Sequence, residues 1–511
     1  MSKSNKPSTV SMLGFKIDSD ATDAEVTRFA GLLPYMELWR RLKMPSLIDQ
    51  TVHICGDQGW LDRQMVESVV LLNIAGGDCV TDIEKLESDT GLCRMYARNQ
   101  YSGMGRLAVK QAQARFRAGR RRTFPAPTQI SAFLEGCHNE QEELKRVAGK
   151  AFIPQANEHL LSLRKLNGYL ACQAQKLHPC RTATLDGDAT LVEKDSNEAL
   201  FCYKGFRGYQ PYSVYWHEQD LVLHSEFRDG NVPAGYEVKR IFQESISMLP
   251  EDVDSVMTRQ DSAAYQNDFM AWCIDVKEHP RIGEILFTIS ADITPELREA
   301  IVGTKDWQPM KPARGDKGKP VIKEYADVLF VSGAQANDRR IVRAYRYIAI
   351  RERMTDQLSL LEADEENLPF PVATINNVRY KIQAVVTNRY EEDAQDLIQW
   401  HYRRCGKSEE AHSVMKSDFA GGQMPSAKFG ANAAWWAIMI LAMNFNAVMK
   451  HHVLGGGSAN KRMKAMRFEL IASAARVIHH ARQCFLRTSP QLQRMLFALS
   501  DRMQRLPLQA T

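Results

Sequence analysis

The chain has 511 residues, of which 44% are hydrophobic and 25% charged; this balance excludes collagen-like, low-complexity and intrinsically disordered classes and implies two or three domains. The net charge is only +5, but Tyr101–Arg122 carries seven Lys or Arg and no acid, and His451–Thr511 carries ten against Glu469 and Asp501. Two basic segments suggest a polyanionic partner, the plainer alternative being two solvated helix faces. The ten cysteines show no CxxC pair or regular Cys/His spacing, which argues against a zinc module; with no signal peptide evident, a reducing cytoplasm is expected.

Residues 1–20 are polar and read as a disordered tail. Helix-like apolar runs such as LLPYMELWRRL and MVESVVLLNIA then define a helical N-terminal domain over 21–150, expected to bind DNA through the basic patch near its end. Near its end Arg115, Phe116, Arg117, Arg120, Arg121 and Arg122 form a basic patch, followed by PAPTQISAFL at Pro125–Leu134. There Thr128 would cap a short amphipathic helix, either the second half of a helix-turn-helix or an ordinary capped helix.

A helical connector from about Gln155 to Leu177 leads to TATLDGDATL, Thr182–Leu191. As a strand it puts Thr182, Thr184, Asp186, Asp188 and Thr190 on one face and the small and apolar residues on the other. Acids are poor strand formers. Two carboxylates sharing a face make a negative site that a divalent cation neutralises, the alternative being an Asx turn at a strand end.

Gly208–Trp216 and Leu221–Phe227 read as a hairpin, Val238–Leu249 as a helix closed by Pro250, and Ser255–Arg259 as a strand ending in Gln260, Asp261 and Ser262. A helix at Asp268–Ile274 and a strand at Glu284–Ser290 follow. Three strands, helix, strand, helix, strand is the order of an α/β, ribonuclease H-like core, a mixed sheet flanked by helices. Its first part would span 178–293, with Asp261 adjacent to the acids of the central opening strand.

Residues 294–373, with Trp307 and strand-like runs at Tyr325–Val331 and Ile341–Ile350, read as a strand-rich insertion subdomain. The core would resume over 374–450 with Tyr380–Thr387 and a long helical region from Glu391 to about Asp418. There Tyr402, Glu409 and Lys416 recur every seven residues along one stripe, either an acid flanked by phosphate-binding groups or an ordinary charged face. The uncharged Gly430–Met449 is long enough to span a bilayer, but Asn432, Asn444 and Asn446 favour a buried core helix, with no membrane partner. Residues 451–511 read as a basic helical C-terminal region, with Lys461–Leu486 as one helix.

TLDGDAT, RQDS and Tyr402-x6-Glu409-x6-Lys416 together resemble bacterial insertion-sequence transposases of the DDE class, within the cut-and-paste superfamily bearing a Tyr/Arg/Glu/Lys signature. FRDGNV (Phe227–Val232), RQDSAAY (Arg259–Tyr265) and RFELIASAARVIHHARQCFLR are similar to stretches of the family named after insertion sequence thirteen-eighty. The likeness runs from about Leu71 to Leu486.

The resemblance implies an enzyme that binds the terminal inverted repeats of its element, cuts both ends and joins them to a target. Carried over by position, it implies Asp188 as first catalytic acid and metal ligand, with Asp186 as the alternative, Asp261 as second and Glu409 as third. Two Mg²⁺ ions about 4 Å apart, replaceable by Mn²⁺, would activate the attacking oxygen and stabilise the leaving one. Tyr402, Lys416, Arg403, Arg404 and Lys407 would hold phosphates near the site, and Arg115, Arg117, Arg120, Arg121 and Arg122 the element ends or flanks. Where the signature has Arg, this chain has Cys405, with Arg404 one residue out of register. Trp307 would stack a flipped base, or else pack on its own subdomain. The implied partners are double-stranded DNA and a second copy of the chain in a synaptic homodimer, acting in the bacterial cytoplasm on the nucleoid. The alternatives are a ribonuclease H-like nuclease without strand transfer and a catalytically inactive, transposase-derived DNA-binding protein.

Overall fold

Prolines open several of the helices that fill the first third of the chain, where a fixed φ suits a first turn and the missing N–H costs nothing. The structure, a computed structural model, describes residues 11–12, 15–16, 25–102, 104–116, 122–147, 149–196, 198–311, 323–354, 368, 370–481 and 483–507, with the backbone but not the side chains at 11–12, 15–16 and 405–409. Of the tail expected over 1–20, only the strand pair β1 (Ser11–Met12) and β2 (Phe15–Lys16) lies within the described residues.

After the short β3 (Val26–Thr27) come helices α1 (Leu33–Arg41), α2 (Met44–Thr51), α3 (Asp62–Ala75), α4 (Ile83–Glu87), α5 (Thr90–Gln100), α6 (Arg106–Ala114), α7 (Pro127–Glu135) and the single turn α8 (Glu140–Glu143). Helix α7 starts at Pro127 with Ala126, not Thr128, as its N-cap, and it buries Ile130, Phe133 and Leu134. The connector is α9 (Glu158–Leu177).

The central sheet is built from β4 (Thr182–Ala189), β8 (Tyr212–Trp216), β9 (Leu221–Glu226), β10 (Ser255–Gln260) and β11 (Leu286–Ser290), in the order β9-β8-β4-β10-β11. A small sheet of β5 (Val192–Glu193), β6 (Leu200–Phe201) and β7 (Arg207–Tyr209) stands beside it. The opening strand is thus interior, antiparallel to β8 and parallel to β10. Helices α10 (Val238–Ser247) and α11 (Asn267–Ile274) connect the later strands, and α12 (Pro295–Gly303) follows them.

The region expected as a strand-rich insertion is rich in strands, and these strands extend the same sheet. Strands β12 (Gln308–Pro309), β13 (Lys323–Val328) and β14 (Arg346–Arg353) pair in sequence, and β14 pairs with β16 (Val378–Thr387), which pairs with β11. The ten-residue β16 makes this continuity, because it also carries β15 (Val372–Ile375) at its other end. A turn, α13 (Gly333–Ala336), lies between β13 and β14.

The long helix expected from Glu391 is interrupted. α14 (Ala394–Tyr402) ends at Arg403, α15 (Arg404–Ser413) begins there, and a π-helical turn at Val414–Asp418 follows. The helix expected at Lys461–Leu486 is a single turn, α17 (Met463–Met466), then a π-turn and a hairpin of β17 (Ala475–His480) and β18 (Gln483–Thr488). The alternating Val477 and Phe485 faces favour strands, and β17 gains a partner in β3.

Helix α16 (Phe429–Val448) is buried along its full length, packed among α3, α7, α9 and β9. Its asparagines are all bonded within the protein. Asn432 bonds Tyr209 and Ser426, Asn444 bonds both backbone groups of Val222 and Asn167, and Asn446 accepts from Tyr35. The chain closes with α18 (Pro490–Gln504). One hydrophobic core runs from Phe29 to Met503 through helices and sheet, with a smaller cluster where α14 covers β13 and β14.

Candidate active site

The two faces of β4 meet different neighbours. Gly187 turns toward α10 and β8, where an added Cβ would stand 2.4 Å from Tyr212 Oη and 2.7 Å from Gln260 Oε1. On the opposite face Asp186 lies in register with Arg259 of β10, and Asp188 lies opposite Ser213 of β8.

Asp186 and Arg259 are each 1% exposed. The guanidinium grips the carboxylate through Nε and Nη2, at 2.7 and 2.5 Å. Arg259 also donates to the Trp400 carbonyl and lies over its ring at 5.1 Å. A carboxylate held in this way is committed to the fold, so of the two candidate first acids Asp188 is the accessible one.

Asp188 keeps 23% of its side chain exposed, and His412 Nδ1 of α15 stands 3.9 Å from its Oδ2. Asp261, just beyond the C-terminal end of the neighbouring parallel strand, caps the turn Ser262–Ala264 by accepting from the Ala263 amide at 3.1 Å. Burial raises its carboxyl above the usual range, Arg404 opposes that rise, and the negative charge of Asp188 adds to it. Tyr212, fully buried, feels both acids, and its phenol is pushed up by burial first and by Asp261 and Asp188 next.

Arg404, the first residue of α15, reaches into this site. Its Nη1 donates to the Gly187 carbonyl at 3.3 Å and its Nη2 lies 3.7 Å from Asp261 Oδ2. Glu409 lies on α15, one turn before His412 and on the same helical face; its side chain, like those of Cys405 and Lys407, is outside the described residues. Tyr402 closes α14, donating to Gln383 at 3.3 Å, and Lys416 in the π-turn donates to the Leu191 carbonyl at 3.5 Å. The helix break at Arg403 and the π-turn keep Tyr402, Glu409 and Lys416 off one regular helical stripe. Arg403 is exposed.

More distant candidates have partners within the chain. Arg115 donates to the carbonyls of Gly56, Gly59 and Trp60, and Arg122 to Phe124 and Glu84; Arg117, Arg120 and Arg121 lie outside the described residues. Trp307 donates its indole N–H to the Thr304 carbonyl and is covered by the Arg351 guanidinium at 4.2 Å.

Arg259, Tyr212 and His412 escaped sequence reasoning. Arg259 stood inside the RQDS motif and His412 three residues after Glu409, which is the only local signal for either.

Asp188 and Asp261 offer hard oxygen donors at adjacent strand ends, a set suited to a divalent cation such as Mg²⁺. Among the described residues no group of three His, Cys, Asp or Glu side chains gathers into a metal cluster; position 409 is where a third acid would enter.

The family described as Transposase DDE domain group 1 matches residues 373–508, a span that holds Tyr402, Glu409 and Lys416 but neither aspartate. No curated protein matches the chain. A solved piggyBac transposase synaptic complex with hairpin DNA is similar over 94% of this chain and 86% of that one, at 8% identity and a TM-score of 0.41. A likeness that weak carries no argument about fold or function.

Proposed function

We infer that this chain is a DNA transposase of the DDE class, which cleaves DNA and transfers the cut strand. The observation that carries the reading is the convergence of Asp188 and Asp261 at the ends of two parallel strands, with α15 of the matched transposase segment packed against them.

The finer reading is a ribonuclease H-like core, supported by the order β9-β8-β4-β10-β11, in a bacterial member of the family named after insertion sequence thirteen-eighty. Asp188, Asp261 and Glu409 would hold two Mg²⁺ ions, which supply activation of the attacking oxygen and stabilisation of the leaving one. The protein's own part is positioning. The Asp186–Arg259 pair locks β4 to β10, so the two strand ends stay in register. The turn at Ser262 aims Asp261 toward Asp188. Lys416 and the exposed Arg403 offer cations for phosphates along the same edge. Substrates would be the terminal inverted repeats and a target duplex, synapsed by a homodimer in the cytoplasm. The presence of Arg404 in the site, despite Cys405, favours an active enzyme over a retired DNA-binding protein.

The test uses a labelled duplex ending in the repeats that flank the coding sequence, a scrambled duplex and a target plasmid, with Mg²⁺. The expected outcome is cutting at the repeat ends and a joined product, neither of them with the scrambled duplex. Cutting of both duplexes without joining would indicate a nuclease, and retention of DNA without cutting a binding protein.

A further inference from the structure

Two carboxylates at neighbouring strand ends repel each other, and a metal-free fold needs something to offset that repulsion. Among the described residues, Arg259, His412 and Arg404 bring cation-capable groups to these strand ends. Arg259 is consumed by Asp186. His412, near Asp188, is charged only when protonated. Arg404 carries a permanent charge, is 12% exposed, and spans the strand ends through Gly187 and Asp261.

We propose that Arg404 is a resident counter-ion of the acidic site: it neutralises Asp261 in the metal-free protein, competes with the divalent ion for that carboxylate, and is released to a DNA phosphate once the ion binds. The proposal rests on the transposase reading with Asp188 and Asp261 as metal ligands. A guanidinium and a divalent cation at one carboxylate repel, so binding of one weakens binding of the other. The carbonyl of Gly187 gives the displaced arginine a tether at the site, where its planar fork suits a phosphate. The break at Arg403 accounts for the register, since α15 starts afresh at Arg404 and the signature spacing of an unbroken helix does not apply. Position 405 is then not needed for this task.

The test is Mn²⁺ binding to the full-length protein without DNA, followed by electron paramagnetic resonance. Arg404→Gln is expected to bind Mn²⁺ about three- to fivefold tighter than wild type. Its metal-free melting temperature should fall, and the gap should narrow as Mn²⁺ is added. Arg404→Lys, whose shorter point charge cannot span both partners, is expected to lie between the two, and Cys405→Ala to match wild type. Equal or weaker binding by Arg404→Gln overturns the proposal. Should that variant fail to fold, Arg404→Lys decides, and affinity equal to wild type overturns it. Wild-type Mn²⁺ binding that survives Asp188→Asn combined with Asp261→Asn would refute the metal-ligand reading itself, and the counter-ion with it.

Discussion

Asp186 and Asp188 sit two residues apart on one face of one strand, and their neighbours give them opposite fates. Asp186 meets Arg259 from 73 residues further along the chain and is sealed with it inside the sheet. Asp188 lies at the strand's end, partly exposed. The acidic face was legible from alternation alone, but the partner that takes one acid out of the chemistry was not, because no local pattern encodes a cross-strand neighbour. Replacing Asp186 with Asn leaves Arg259 buried without its anion, and denaturant unfolding is expected to show a loss of about 3–5 kcal/mol. Glu67 of α3 is a second buried acid, accepting from Asn99 at 2.9 Å, and burial pushes its carboxyl from 4.5 to about 8. The protonated form is the one the fold tolerates. Its contribution is therefore fully present below the unfolded pKa near 4.5 and is lost as pH rises through about 8. Glu67→Gln keeps an acceptor and cannot ionise. Melting temperatures should match wild type near the lower of these values and exceed it above the upper one, with the gap opening in between.

Elements with a strong internal period could be read from the sequence, whereas those defined by a distant partner could not. The strands of the central sheet and α9 follow from alternation, helical periodicity and punctuation by proline. The hairpin of β17 and β18 was hidden in a basic stretch, and its outer pairing is with β3, more than four hundred residues earlier. The interruption at Arg403 was equally hidden, since seven-residue spacing looks the same whether or not the helix is continuous. Helix α16 shows how an apolar helix stays specific: Asn432 marks where it meets β7, Asn444 where it meets β9 and α9, and Asn446 where it meets α1. Asn444→Leu would remove the partners of the amide and carbonyl of Val222 and the donor to the side-chain oxygen of Asn167. Equilibrium unfolding is expected to show a loss of about 1–3 kcal/mol despite the gain in hydrophobicity.

Across the whole molecule, the basic C-terminal segment is tied in rather than free. Arg462 pairs with Asp418, Arg467 donates to the carbonyls of Asn73 and Ile74 and of Asp418, and Arg502 donates to Val453 and Leu454. Arg41 of α1 in turn donates to the carbonyl of Met503 in α18. The charge asymmetry visible in the sequence thus serves in part to join the ends of the chain around the shared core. The proposed chemistry is concentrated at the strand ends, where Arg404 lies beside Asp261 and Lys416 donates to the Leu191 carbonyl. The most direct test of this site is single-turnover cleavage of an end-labelled repeat duplex by wild type, Asp188→Asn and Asp261→Asn, with melting temperature and DNA binding measured alongside. Both variants are expected to fold and bind DNA as wild type does while cutting about a thousandfold more slowly or worse. Cleavage at the wild-type rate by either one would contradict the assignment.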